Sequence, residues 1–209
     1  MNEKTAGVRA LSFLVVTLSV YLLLWQILSL HFQLPVYYYG RLIELLAMLL
    51  FVALALFTPM RFEEMGIVTS ARTLFESLAL GGAISLAAVA AFALVAALGG
   101  STPLFSWRVS GDISRATYII VAPFQEILAK SVLLCTLEKC FEGKHPRLAN
   151  LLAALVFGAF HVVYGVRMML LAMLLSFITG CLFLYRRSVW GCAVVHFSLG
   201  FFPICFGLA

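Results

Sequence analysis

Long apolar runs broken by short polar gaps organise this chain. Seven runs, at roughly 11–30, 42–60, 78–99, 116–138, 148–165, 168–185 and 189–208, approach or reach the ~20 apolar residues a helix needs to cross a hydrocarbon core. The fifth and sixth are short and parted only by Gly165–Arg167, which predicts a tight helical hairpin. The pattern predicts an all-α polytopic transmembrane helix bundle of about seven spans, in one membrane domain over 1–209. Between the second and third runs, residues 61–77 are mixed. Phe62, Met65, Ile67, Leu74 and Phe75 interleave with Arg61, Glu63, Glu64, Arg72 and Glu76, which fits either a short interfacial helix or a solvated loop. Residues 101–115, with Pro103, Trp107 and Gly111, read as an external loop, and Trp107 suits the headgroup layer.

Composition agrees with the pattern. The chain is 64% hydrophobic and 11% charged, where a soluble domain runs near ~25% charged. Its net charge of +5 does not point to nucleic acid, because the basic residues lie in the gaps between runs rather than along one face. One alternating set of gaps holds Lys4, Arg9, Arg61, Arg72, Lys139, Lys144, Arg147, Arg186 and Arg187. The opposite set holds only Arg41, Arg108, Arg115 and Arg167. The positive-inside rule then places the N-terminus in the cytoplasm and the C-terminus outside, in the cell (inner) membrane. The first run exceeds a signal-peptide core and lacks a small-residue cleavage site, so it reads as a retained helix. The five cysteines form no C-x-x-C pair and sit mostly inside the runs, where a thiol behaves as a small apolar group.

Few ionisable residues interrupt the runs, and they carry the functional argument. Glu44 lies near Arg41 at a span end and reads as an interfacial charge, as do His31 and His145 in connecting segments. Glu126 and Lys130 differ. They fall in the middle of the fourth run, roughly ten residues or about 15 Å from water. Each costs about 2.5–3.5 kcal/mol there on insertion scales. Their spacing of four puts them on one helical face, where they neutralise each other. Gln125 is adjacent, and Pro123 removes a backbone donor and frees the Ile119 carbonyl toward a cavity. His161 ends the segment Phe157-Gly158-Ala159-Phe160-His161 of the fifth run, and His196 lies in the seventh. On these boundaries His161 sits near the outer end of its span and His196 nearer the cytoplasm. They meet Glu126 only if helices tilt or the fifth span extends.

Such groups face a bundle interior, so they converge on one polar site. A carboxylate with a histidine activates water, and a second histidine donates to the oxyanion formed when a peptide carbonyl is attacked. Glu126, His161 and His196 also fit a zinc ligand set, but there is no H-E-x-x-H motif. No cofactor is called for.

These residues resemble the CPBP family (also called ABI, or type II CAAX-protease-like) of glutamic intramembrane endopeptidases. That family carries E-E-x-x-x-R, F-x-x-x-H and H-x-x-x-N on successive core helices. The counterparts here are Gln125-Glu126-x-x-x-Lys130, Phe157-x-x-x-His161 and His196-x-x-x-Gly200, in a motif-bearing core over 116–205, with a weaker echo at Glu63-Glu64-Met65-Gly66-Ile67. The resemblance implies hydrolysis of a membrane-anchored protein or peptide substrate, such as a C-terminal sorting or CAAX-like tail. Gln125 would mark the general-base position beside His161, His196 would stabilise the oxyanion, and Glu126 and Lys130 would orient the site.

Three departures stand out. Gln125 replaces the glutamate held to be the base, Lys130 replaces a forked guanidinium, and Gly200 replaces an asparagine. They imply a divergent bacterial-type member whose hydrolysis is lost or altered. The readings left open are an active protease inactivated by an engineered Gln125, a natural pseudoprotease of the immunity type that binds membrane peptides, and a role for Glu126 as base. A proton- or ion-coupled carrier using Glu126 and Lys130 is the third class, and the short chain without inverted repeats speaks against it.

Overall fold

The structure is a computed structural model that describes residues 3–32, 36–57, 60–100 and 117–208. The external loop expected over 101–115 lies outside the described residues. Among the described residues seven helices form: α1 (Glu3–His31), α2 (Val36–Phe57), α3 (Ala71–Leu98), α4 (Tyr118–Cys140), α5 (Pro146–Ala159), α6 (Val166–Arg186) and α7 (Val189–Cys205). Each coincides with one apolar run. Four of them (α1, α3, α4 and α6) are long and apolar enough to cross a membrane, while α5 and α7 are shorter.

Helices α1 and α3 begin well before their apolar runs because polar turns continue them. In α3 the side chain of Ser70 accepts from Thr73 N–H at 3.1 Å, capping the first turn. Arg72 and Glu76 pair at 2.9 Å one turn further on. In α1 the turns before Leu11 pack against the end of α4, burying Ala6 and Ala10.

The layers are inverted relative to a water-soluble bundle. Leu23, Leu56, Leu86 and Leu98 are all exposed, and only 11% of the most apolar stretch of α1 or α3 is buried. For α4 the figure is 61%, which makes it the central helix. Apolar side chains on the outside and polar ones on the axis suit hydrocarbon as the surrounding solvent.

Small residues bring α3 and α7 into near backbone contact. A Cβ on Gly81 would meet the Gly191 carbonyl, and one on Gly191 would meet Ser77. The contact is hydrogen-bonded: Gly191 N–H donates to Ser77 Oγ at 3.1 Å, and Ser85 Oγ donates to the Val194 carbonyl at 3.3 Å.

The segment ahead of α3 is neither a helix nor a free loop. Residues 62–66 form a tight turn, with Met65 N–H bonded to the Arg61 carbonyl at 3.0 Å. The turn docks on the α6–α7 connection. Val189 N–H donates to the Gly66 carbonyl at 3.0 Å, and Trp190 Nε1 donates to the Ile67 carbonyl at 2.9 Å. Gly66 has φ 67°, and a Cβ there would run into the Phe183 ring and the Arg187 backbone.

Candidate active site

The site grows from an irregularity in α4. Pro123 lies inside the helix and supplies no N–H for the preceding turn. From Ile127 to Leu134 the backbone then bonds i→i+5, as when Cys135 N–H donates to the Lys130 carbonyl. Such widened turns occur frequently at functional sites. Glu126 sits at the junction, and both it and Lys130 are completely buried.

The two are paired more loosely than their spacing implies. Lys130 Nζ lies 3.9 Å from Glu126 Oε2, an ion pair without a hydrogen bond. The ammonium donates instead to α6, to the Ser176 carbonyl at 2.6 Å and Ser176 Oγ at 2.8 Å. Glu126 turns toward α7, where its Oε1 lies 2.8 Å from His196 Nδ1 and accepts from Thr179 Oγ1 at 3.3 Å. An ionised carboxylate only accepts, so Nδ1 carries the proton and Nε2 is left for other chemistry. Glu126 Oε2 makes no hydrogen bond among the described residues. Lone pairs buried unsatisfied are costly, and in native structures they call for an explanation.

His161 does not lie on the fifth helix as its run implies. α5 ends at Ala159; His161 N–H bonds to the Gly158 carbonyl at 2.8 Å, and a short 3₁₀ turn follows over Val162–Tyr164. Gly165, at φ 95°, then opens α6. The apolar run continues past the helix because this turn is itself apolar, so hydropathy hides the break. His161 Nδ1 is 2.9 Å from the Phe157 carbonyl. Its ring lies 4.8 Å from that of Phe157, which in turn meets His196 edge-on at 5.8 Å. Phe157 is the partition between the two histidines. The difference in depth read from the sequence is bridged by this ring rather than by a longer α5.

Gln125 is half-buried on α4, and its amide makes no hydrogen bond among the described residues. Glu126, Lys130 and His196 therefore meet directly, His161 joins through Phe157, and Gln125 stands on the same helix without a polar partner. Among the described residues no three His, Cys, Asp or Glu side chains form a metal-binding group.

Two further polar residues complete the surroundings and were not singled out in the sequence. Ser176 and Thr179 are three apart on one face of α6, and both are fully buried. Their spacing within an apolar helix was the available signal.

Residues 113–202, a segment holding every one of these side chains, match the family model described as type II CAAX prenyl endopeptidase Rce1-like. No curated protein and no solved structure gave a match.

Proposed function

From an Rce1-like type II CAAX prenyl endopeptidase domain at residues 113–202, we propose an intramembrane endopeptidase architecture that engages a membrane-adjacent segment of another protein, such as a C-terminal sorting or CAAX-like tail, and whose hydrolysis is held down by Gln125. In this reading all seven helices cross the bilayer, with the N-terminus cytoplasmic and the C-terminus outside.

The observation that carries it is the Glu126–His196 contact at 2.8 Å, buried where α4, α6 and α7 meet. A fully buried carboxylate is costly unless it does something for a partner. Here it fixes the orientation of His196 and leaves Nε2 directed away from Glu126. Nε2, when it also carries a proton, donates to a carbonyl oxygen as that oxygen turns negative. His161, on the other side of Phe157, is the polar group in the mouth of the site. Position 125, half-buried, is where water would be activated beside it.

An amide takes no proton at neutral pH, so with Gln125 the attacking water lacks its acceptor. Glu126 does not substitute, because it is inaccessible and already holds His196 and neutralises Lys130. The same glutamine favours the second reading, a non-catalytic protein that binds membrane peptides.

A membrane cleavage assay of the Gln125→Glu chain tests the choice. Restoring a carboxylate raises cleavage by about 10²–10⁴-fold, and the Gln125→Glu/His161→Ala chain loses the gain. Retained peptide binding with no cleavage in either chain would establish the non-catalytic reading instead.

A further inference from the structure

Tyr118 opens α4, and the scheme above leaves it unused. Its ring packs against His196 with centroids 6.1 Å apart, and against Phe197 at 6.1 Å. Its hydroxyl occupies the space that a Cβ on Gly200 would fill. Gly200 lies one turn beyond His196 on the same face of α7. The phenol thus stands where a side chain at position 200 would otherwise flank the histidine.

The hydroxyl makes no hydrogen bond among the described residues. Packing alone does not call for it. A phenylalanine would keep both ring contacts, so the hydroxyl adds nothing to that packing. The close seat on Gly200 keeps the O–H on the face of α7 that carries His196, since the ring cannot move further toward α7.

We infer that Tyr118 is a catalytic hydrogen-bond donor to the scissile carbonyl oxygen, sharing it with His196, and that Gly200 is the clearance that seats the phenol. This deepens the proteolytic reading and rests on it. As water adds in the Gln125→Glu chain, a new O–C bond forms, the water proton passes to the restored carboxylate, and the carbonyl electron pair moves onto oxygen. The phenol O–H donates to that oxygen and keeps its proton throughout. It donates in either charge state of His196, whereas Nε2 donates only when protonated.

The test measures binding to the full chain in detergent micelles, so it needs no turnover. The probes are a pool of palmitoyl-anchored hexapeptides with a randomised central pair, and the same pool with a phosphinate in place of the central amide. The phosphinate mimics the tetrahedral anion, and a donor aimed at the oxyanion favours it over the amide. Tyr118→Phe is expected to lower the phosphinate-to-amide affinity ratio at least about tenfold, with amide binding within twofold. Gly200→Ala, which displaces the phenol without removing it, should do the same. Tyr118→Ala/Gly200→Asn, which returns a donor from α7 into the vacated space, should restore the ratio. A ratio unchanged in both Tyr118→Phe and Gly200→Ala overturns the role of Tyr118 and leaves the proteolytic reading standing. If neither pool binds the wild-type chain or Gln125→Glu, that reading and this inference fall together.

Discussion

Two carboxylates of α4, Glu126 and Glu138, stand twelve positions apart and pair with cations in different ways. At its polar end Glu138 accepts from Arg187 through both oxygens, at 2.6 and 2.7 Å. That fork uses the lone pairs of Glu138, and the Arg187 side chain stays 49% exposed. At mid-helix Glu126 and Lys130 have no exposure at all, stand 3.9 Å apart, and leave Oε2 without a hydrogen bond. The first pair closes on itself and acts as a clasp between α4 and the α6–α7 turn. The second is open: each charge reaches past its partner, Lys130 to Ser176 and Glu126 to His196. Binding energy at a structural pair goes into mutual satisfaction. At the open pair the lone pairs of Glu126 Oε2 stay without a hydrogen bond.

The largest effect should come from breaking the open pair. Lys130→Met removes the permanent counter-charge of the buried Glu126, leaving it only the hydrogen bonds from His196 and Thr179, and is expected to cost about 3–5 kcal/mol, read from denaturant unfolding in detergent. The Glu126→Gln/Lys130→Met chain, with no charge left to strand, should recover much of that loss. Little or no recovery would mean the two side chains act independently.

Next comes the clasp. Arg187→Lys keeps the charge but loses the fork, and should cost about 1–2 kcal/mol by the same measurement. An equal cost for the Lys130 and Arg187 variants would erase the distinction between closed and open pairs.

The smallest effect belongs to Glu64 in the docked turn, which pairs with Lys139 at the end of α4 at 2.8 Å. The Lys139 side chain, with Arg61 helping, holds the Glu64 carboxyl below the usual carboxylate range against a partial desolvation. A lowered folded value means the stabilisation is complete above the ordinary carboxylate range and fades as pH falls through the lowered one. Solvent screening limits it to a few tenths of a kcal/mol. Lys139→Ala should flatten that acid-side slope in a pH series of unfolding curves.

The sequence exposed the helices because hydrocarbon demands long apolar runs, and each of the seven runs became a helix. It exposed Glu126, Lys130 and His196 for the complementary reason, that ionisable groups are costly at such depth. What it hid is tertiary. Serine and threonine bond to their own preceding turn almost anywhere, as Thr179 does to the Leu175 carbonyl at 3.1 Å, so nothing along the chain marked Ser176 as the acceptor for Lys130. The end of α5 before His161 was hidden because the turn that follows is as apolar as the helix. The seat of Tyr118 on Gly200 joins residues 82 positions apart in the numbering, through a side chain that glycine lacks.

The glycine crossing between α3 and α7 bears on how the molecule can open. Where two backbones touch there is no side chain to rearrange, so α7 cannot slide or roll without carrying α3 along. His196 therefore rides on a fixed post. A second close approach ties α5 to α6: a Cβ on Gly158 would meet the Met169 carbonyl and the Met173 side chain, and one on Gly180 would meet Asn150. The bundle thus holds two helix pairs that shift as units, and His196 belongs to the pair that includes α3.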